Sequence, residues 1–207
     1  GPGYGGSCFP KDTRALAKTG RDAGAVQGIV EAAINSNEAQ KLFAAQKIEA
    51  ALCEAAHNSG GNAEAAFPLR GKKVAVLGLA FKPNTSDMRE SPAVTICEYL
   101  AGRGAELRVF DPAAMQEARF WLAALREAVY FAADEYDAMR GASALAIVTE
   151  WNQFRSIDLA RPAELLAAPY FFDFRNIYRR KEVEAAGLRY FGTGKLVKEQ
   201  DRRPACV

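Results

Sequence analysis

The feature that most constrains the fold is an alternation of short apolar runs and helical patterns between residues 73 and 191. The predicted strands are Lys73–Leu77, Glu106–Phe110, Ala128–Phe131, Ala144–Val148, Tyr170–Phe172 and Leu188–Phe191. The predicted helices begin at Pro92, with Ser91 as N-cap, and then cover Met115–Arg126, Asp134–Arg140, Asp158–Leu166 and Arg180–Ala186. Strands that alternate with helices form a parallel sheet covered on both faces. The sequence therefore predicts an α/β fold with a doubly wound parallel sheet.

Two further helices are predicted ahead of this region. A short helix covers Asp12–Ala23, with Asp12 or a neighbour as N-cap, and a long one runs from about Val26 to His57 with apolar residues at helical spacing. The long helix would extend roughly 45–50 Å, more than one small domain needs. It suits a spacer between domains or a surface that pairs with a second copy; the alternative is a helix folded onto the chain's own core. Residues 59–62 form a predicted linker.

The first twelve residues, GPGYGGSCFPKD, place a cysteine between a glycine-rich loop and a helix. Glycines such as Gly3 and Gly5 allow the backbone to approach a ligand closely. Cys8 lies just before a helix N-terminus with Lys11 nearby, and both positive influences favour the nucleophilic thiolate. Asp12 is close enough in sequence to orient a water molecule or to accept a proton. The alternative is a structural cysteine beside a tight turn.

The loop that follows the first predicted strand suits a phosphate-bearing ligand. It lacks the GxGxxG dinucleotide fingerprint, and it contains Lys82 and Arg89 with small polar residues between them. Cations and small polar groups in such a loop suit a diphosphate, although the loop could equally be a solvated one. Arg175 follows a later strand and is expected at the same edge of the sheet. Trp151 could pack near a base, but a structural aromatic is the preferred interpretation.

Bulk properties exclude several classes of protein. The formal net charge of +2 argues against nucleic-acid and membrane-surface partners. Neither an apolar run long enough to span a membrane nor a signal-peptide pattern is visible, so a cytoplasmic location is expected. The four cysteines, Cys8, Cys53, Cys97 and Cys206, have no metal-ligand spacing, and no metal site is predicted. Cys53 and Cys97 are expected to be packing residues.

Four segments resemble the nucleotide-sugar 6-dehydrogenases, the UDP-glucose/GDP-mannose dehydrogenase family. They are GYGGSCFPKD, the run from Gly71 to Ala93, TEWNQF and FFDFRN. The resemblance covers essentially the whole chain. It implies that the chain corresponds to the C-terminal portion of such an enzyme, without the N-terminal NAD-binding domain. Residues 1–65 would then hold the catalytic-cysteine loop and the central helical dimerisation region. Residues 66–207 would form a Rossmann-like, UDP-sugar-binding domain.

The resemblance also implies roles for individual residues. Cys8 and Asp12 would be catalytic. The residues implied to bind the substrate are Gly3, Tyr4, Gly5, Phe81, Lys82 and Arg175. Lys11 and Arg89 would contact NAD, whose main site would lie in the N-terminal domain. A homodimer would form through the long helix.

The implied reaction oxidises UDP-glucose to UDP-glucuronate with two equivalents of NAD⁺, through a thiohemiacetal and a thioester on Cys8. Phe9 and Lys11 favour UDP-glucose over GDP-mannose, which is the second alternative. The lysine and asparagine that the family uses ahead of the cysteine loop are not in this sequence, so this chain by itself is expected to be inactive. A non-catalytic nucleotide-binding and dimerisation module is the alternative from a different class.

Overall fold

The computed structural model describes residues 1–58 and 67–194, with side chains in the first range through Glu54. Two helices open the chain: α1 covers Phe9–Asp22 and α2 covers Gly28–Asn58. Both lie where the sequence predicts helices. The predicted linker at residues 59–62, the predicted domain boundary between residues 65 and 66, and Cys206 lie outside the described residues.

Helix α1 begins earlier than the sequence predicts. Its first residue is Phe9, and Cys8, not Asp12, occupies the N-cap position without a side-chain capping bond. Pro10 belongs to the first turn, where a missing N–H costs nothing because that turn has no intrahelical acceptor for it. The backbone N–H of Asp12 donates to the carbonyl oxygen of Cys8 at 2.8 Å, which is already a helical bond. The cysteine is therefore part of the helix terminus itself.

A six-stranded parallel sheet forms the rest of the fold. Its strands are β1 (Lys73–Leu77), β2 (Glu106–Phe110), β3 (Val129–Phe131), β4 (Ala144–Ile147), β5 (Tyr170–Asp173) and β6 (Arg189–Gly192). The order across the sheet is β3-β2-β1-β4-β5-β6, with Val74 paired to Leu107 on one side and to Ala144 on the other. This is the doubly wound order of Rossmann folds, and the predicted fold class is confirmed.

Six helices connect or follow these strands within the described part of the chain. They are α3 (Pro92–Gly102), α4 (Met115–Trp121), α5 (Glu135–Met139), α6 (Asn152–Arg155), α7 (Ala160–Leu165) and α8 (Arg180–Ala185). Ser91 caps α3 as predicted, since its Oγ accepts a hydrogen bond from the N–H of Ala93. The helix predicted for Met115–Arg126 ends at Trp121 and continues as a 3₁₀ turn. Helix α6 is not predicted from the sequence because four residues are too few to show a helical period.

The central helix packs onto the sheet domain. Ala45 and Ile48 of α2 are fully buried in the same hydrophobic cluster as the strands. Arg103 directly follows α3, and its Nε donates a hydrogen bond of 2.7 Å to the Glu49 carboxylate of α2. The middle of α2 is therefore part of the core, as in the alternative of a helix folded onto its own domain. Near its N-terminal end, however, Ile29 is 88% exposed.

Two further predictions can be compared with the described residues. Cys53 and Cys97 are buried, which confirms them as packing residues. Burial raises the pKa of the Cys97 thiol to about 12, so this thiol is poorly suited to act as a nucleophile. Among the helices of the described ranges, including the 31-residue α2, none combines the length and apolarity needed to cross a bilayer.

Candidate functional site

Three loops meet at the carboxyl edge of the sheet, which is where doubly wound folds bind ligands. They follow β1, β4 and β5. The Oγ1 of Thr149, after β4, donates to the carbonyl oxygen of Ala80 at 2.6 Å. The Arg175 guanidinium, after β5, donates to the carbonyl oxygens of Val148 at 2.6 Å and Phe81 at 3.4 Å. Arg175 and the loop after β1 therefore lie at one edge, as the sequence predicts.

A buried carboxylate, that of Asp111, holds this edge together. Its Oδ2 accepts from the backbone N–H of Leu79 at 2.7 Å, the N–H of Ala80 at 3.0 Å and the indole Nε1 of Trp151 at 3.1 Å. Its Oδ1 accepts from the backbone N–H groups of residues 113 and 114, both at 2.8 Å. Trp151 is thus a structural aromatic, in line with the preferred interpretation of the sequence.

This arrangement explains why the domain lacks a dinucleotide fingerprint. In dinucleotide-binding Rossmann domains, backbone N–H groups after β1 face the pyrophosphate, and an acidic residue after β2 binds a ribose. Here Asp111 occupies the acidic position, and it takes the N–H groups of Leu79 and Ala80 as its own partners. Backbone donors that are used inside the fold are not available to a phosphate. The phosphates of a ligand at this edge would therefore have to be held by groups other than these two N–H groups, for example by cationic side chains.

Among the cations that the sequence predicts for the site, Arg175 is the most enclosed, with a side chain that is 17% exposed. The Glu150 Oε2 lies 2.9 Å from its Nε as an ion pair without a hydrogen bond, because the Nε–H donates to the Val148 carbonyl oxygen. Burial lowers the pKa of the Arg175 guanidinium from its ordinary value, and Glu150 opposes the shift. Asp173 fixes the loop, because its Oδ1 accepts from the Arg175 N–H at 3.1 Å and its Oδ2 from the Tyr178 N–H at 2.8 Å. An arginine held in this way is preorganised for an anionic group.

The glycine-rich loop docks against the loop that follows β1. The Gly6 N–H donates to the carbonyl oxygen of Arg89 at 2.7 Å. A Cβ on Gly5 would lie 2.4 Å from the carbonyl oxygen of Glu90, and one on Gly6 would lie 2.8 Å from the Phe81 ring. These two glycines are therefore required by close approach to the protein's own chain. Their contact with a ligand stays a prediction.

Cys8 is exposed at the start of α1. Its Sγ lies 3.7 Å from the Ser7 Oγ. Lys11 and Asp12 follow in the first turn, where Lys11 Nζ lies 3.4 Å from the Asp12 carboxylate and both side chains are largely exposed. The cysteine thus lies at a helix N-terminus, as the sequence predicts, and the influence of Lys11 on its thiol stays a prediction.

Arg89 adds a second cation on this side. Asp87 holds it through two hydrogen bonds, to Nε at 2.9 Å and to Nη2 at 2.7 Å. Asp87, and to a smaller extent Cys8, raise the pKa of Arg89 above its ordinary value. Lys82, by contrast, is exposed, with its Nζ 5.3 Å from the centroid of the Phe81 ring. Each cation that the sequence predicts for the site therefore lies near the cysteine loop or the loop after β1.

The cysteine loop separates two cavities. One, here named the Arg89 cavity, has a volume of about 570 Å³ and is lined by Ser7, Lys11 and Arg89 among others. The other, the Arg175 cavity, has a volume of about 540 Å³ and is lined by Tyr4 and Arg175 together with part of α2. Both residues predicted to contact the cofactor thus line the Arg89 cavity, whereas three of the six residues predicted to bind the substrate, Gly3, Tyr4 and Arg175, line the other cavity.

Several residues that build the site are not identified from the sequence. Each of these residues contacts a predicted site residue or its loop. Three of them lie on or after the strands of the sheet and two on α2: Asp111, Asp173 and Glu150, and Asn37 and Lys41. Asp111 and Asp173 do carry a local signal, since Asp111 directly follows the apolar strand β2 and Asp173 is the last residue of the apolar strand β5. Asn37 and Lys41 carry none, because their partners lie far away in sequence.

Fold and site together define a class: a Rossmann-like α/β protein in which a helix-terminal cysteine lies beside the ligand edge of the sheet. The family models specify this class further. Residues 75–180 match the UDP binding domain of the UDP-glucose/GDP-mannose dehydrogenase family, and residues 1–39 match the central domain of the same family. The chain belongs to the UDP-glucose/GDP-mannose dehydrogenase family.

Individual relatives agree with this assignment. The chain is 44% identical over 195 residues to a UDP-glucose 6-dehydrogenase of Rhizobium meliloti (strain 1021). The matched region covers 94% of this chain and 41% of the relative. It is 36% identical to UDP-glucose 6-dehydrogenase TuaD of Bacillus subtilis (strain 168), over 94% of this chain and 39% of that protein. The chain thus spans about two fifths of the length of these relatives.

Solved structures of the family have the same fold. A UDP-glucose dehydrogenase from Pyrobaculum islandicum superposes with a TM-score of 0.69 at 35% identity, covering 88% of this chain and 37% of its own. A UDP-D-ManNAc dehydrogenase from Pyrococcus horikoshii gives a TM-score of 0.70 at 28% identity, covering 94% and 39%.

Proposed function

We propose that this chain is the UDP-sugar-binding and catalytic-cysteine part of an NAD-dependent UDP-glucose 6-dehydrogenase. The observation that carries the proposal is the position of Cys8: an exposed thiol at a helix N-terminus, on a loop with a cationic cavity on either side. The 44% identity to a UDP-glucose 6-dehydrogenase favours this substrate over other nucleotide sugars. The cytoplasmic location stays a prediction of the sequence.

The substrate diphosphate would be held by side chains at the edge of the sheet. Arg175, enclosed and oriented by Asp173 and Glu150, and the exposed Lys82 are cations suited to its charges. Gly3, Tyr4 and Gly5 would present their backbone to the sugar. Phe81 supports this arrangement, because it packs beneath the glycine loop.

Cys8 would carry the covalent chemistry. The C6 alcohol first loses a hydride and a proton to become an aldehyde. The Cys8 thiolate then adds to the aldehyde carbon and gives a thiohemiacetal, and a second loss of hydride and a proton leaves a thioester. Water attacks the thioester, the C–S bond breaks, and the carboxylate is released with the thiolate restored. Asp12 would orient the water. NAD⁺ supplies the hydride acceptor when bound, and Lys11 and Arg89 are the cations of this chain that would face its phosphates.

The long helix would pair with a second copy. Ile29, Val26 and Phe43 are apolar side chains of α2 or just before it, and they are 88%, 66% and 58% exposed. Burial of such residues stabilises association. In sedimentation velocity, Ile29→Glu with Phe43→Glu is expected to shift the chain to monomer, while Glu31→Gln leaves the assembly unchanged.

Calorimetric titration with UDP-glucose and with GDP-mannose tests the substrate assignment. The double variant Lys82→Ala, Arg175→Ala is expected to lose UDP-glucose binding. The matched control, Lys18→Ala with Arg126→Ala, removes two cations whose side chains are 71% and 82% exposed, away from the cavities, and should bind normally. Preference for GDP-mannose would replace the substrate and keep the mechanism. Absence of binding to either would count against a nucleotide site formed by this chain.

Turnover separates the two classes of function. We expect no NADH formation by this chain alone with UDP-glucose and NAD⁺, since the family uses further residues outside it. If the chain is part of a dehydrogenase, a fusion of this chain to the NAD-binding domain of a relative should oxidise UDP-glucose. Cys8→Ser in the fused protein should abolish the reaction. Nucleotide binding with no turnover in the joined protein would favour the non-catalytic module.

A further inference from the structure

The backbone of Tyr4 is held from both sides by one side chain of α2. Its N–H donates to the Oδ1 of Asn37 at 2.7 Å, and its carbonyl oxygen accepts from the Nδ2 of Asn37 at 3.2 Å. A carboxamide can make this pair of bonds because it offers a donor and an acceptor side by side. Asn37 is 7% exposed, so the pair is shielded from water. The bonds therefore fix the backbone of the loop in one register against α2.

Packing at the preceding residue reinforces this register. Gly3 has a φ of +128°, and a Cβ there would lie 2.9 Å from the Cγ of Lys41 and 3.0 Å from the Oδ1 of Asn37. Asn37 and Lys41 are four residues apart and lie on the same face of the helix. The loop backbone can thus approach this face only because residue 3 lacks a side chain.

The same helix face also contacts the loop after β1. The Nζ of Lys41, whose side chain is 2% exposed, lies 3.0 Å from the Oε1 of Glu38 and 3.6 Å from the Oε2 of Glu90. Glu90 in turn receives two hydrogen bonds from Arg14 of α1, at 2.7 and 3.0 Å. Asn37 and Lys41 are therefore the points at which α2 sets the distance between the cysteine loop and the loop after β1.

We propose that Asn37 is a positioning residue for sugar recognition. It aligns the Gly3–Gly5 backbone, which would contact the sugar, with Arg175 across the same cavity. The inference rests on the proposed function, because it takes Gly3, Tyr4 and Gly5 as the sugar contacts. It assigns Asn37 an effect on the sugar and none on the nucleotide, because Arg175 and Lys82 are held by other elements.

The test compares binding of UDP and UDP-glucose by calorimetry. Wild type should bind UDP-glucose more tightly than UDP. In Asn37→Ala we expect about fivefold to tenfold weaker UDP-glucose binding, the worth of one or two hydrogen bonds, with UDP affinity within about twofold. Asn35→Ala, an exposed asparagine on the same helix, should change neither. Equal loss for both ligands, or no loss for either, overturns the proposal.

A second measurement does not depend on the ligand. Amide hydrogen exchange at Tyr4 should accelerate about tenfold or more in Asn37→Ala relative to Asn35→Ala, since the bond that protects this N–H is removed. Gly3→Ala should give the same acceleration with Asn37 intact. If the wild-type chain does not bind UDP-glucose more tightly than UDP, the proposed sugar contact is wrong. In that case, unchanged exchange at Tyr4 in Asn37→Ala overturns the positioning role as well. Faster exchange in Asn37→Ala would show that Asn37 positions the loop, without an effect on sugar binding.

Discussion

Asp111→Asn is the substitution for which the structure gives the clearest magnitude. The carboxylate is fully buried; three N–H groups donate to its Oδ2 and two to its Oδ1. An asparagine of the same size has a single acceptor oxygen. In the better of the two orientations of the asparagine amide, its NH₂ group faces the two backbone N–H groups, of Ala113 and Ala114, that now donate to Oδ1. Two buried donors are then left without an acceptor, at about 1–3 kcal/mol each.

The expected loss is therefore about 2–6 kcal/mol of unfolding free energy. With a urea m-value of about 2 kcal/mol/M, the unfolding midpoint should fall by roughly 1–3 M. Tryptophan fluorescence is a suitable probe, because the Trp151 indole is itself one of the donors. The loop after β1 should also loosen, since Leu79 and Ala80 would lose their acceptor or keep a weaker one.

Asp134→Asn is the matched control for this prediction. Asp134 caps α5 and accepts a single N–H, that of Asp137, at 2.6 Å. Asparagine and aspartate cap helices about equally well, so the unfolding free energy should change by less than about 0.5 kcal/mol. If Asp111→Asn shifts the unfolding midpoint no more than Asp134→Asn does, the five hydrogen bonds to the Asp111 carboxylate do not stabilise the fold as argued.

Three further predictions follow from the contacts around the cysteine loop. Gly5→Ala should lower the unfolding free energy by about 1–3 kcal/mol in thermal melts, because its Cβ would meet the Glu90 carbonyl oxygen at 2.4 Å. Arg14 lowers the pKa of Glu90 in the folded protein, so the pair stabilises the fold at pH values above the ordinary pKa of 4.5. This contribution is lost as the pH falls through the lower pKa of the folded state. Glu90→Gln should therefore reduce the loss of stability between neutral and acidic pH. Iodoacetamide should modify the exposed Cys8 at least about 100-fold faster than the buried Cys97, measured by peptide mass spectrometry.

Each of these has a control within the chain. Gly102→Ala, where a Cβ would meet no atom within 4 Å, should not destabilise the fold. Glu127→Gln removes a carboxylate whose side chain is 91% exposed and should leave the pH dependence unchanged. Cys8→Ser should remove the fast alkylation phase. Equal alkylation rates at Cys8 and Cys97 in folded protein would contradict the burial on which that prediction depends.

Most secondary structure could be predicted because its causes are local. The strands are apolar runs bounded by turn residues, and the start of α3 is marked by the Ser91-Pro92 pair. The two largest boundary differences, at α1 and α4, have local causes as well. Pro10 hides the true start of α1, and the region after Trp121 tightens into a 3₁₀ turn within a helical pattern. The cysteine at a helix N-terminus was visible from the sequence for the same reason.

Site residues could be predicted only where they carry a motif or follow a strand. Arg175 and the loop after β1 were expected at one edge, because parallel strands present their carboxyl ends on the same side. The partners that hold them were not. Glu150 could have been assigned to Arg175 only with the order of β4 and β5 known, and a buried lysine such as Lys41 reads in the sequence as an ordinary exposed helix residue.

The sequence by itself determined the doubly wound sheet, the long helix and the placement of Cys8 at a helix terminus, because periodicity, capping and strand composition act over a few residues. The tertiary structure alone decided which groups fill the Rossmann crevice and which helix face holds the cysteine loop. Tyr4 and Asn37 are 33 positions apart, and Trp151 and Asp111 are 40 apart. Such pairs form only when packing brings distant segments together, and a single hydrogen-bonding side chain gives no sequence signal of its distant partner.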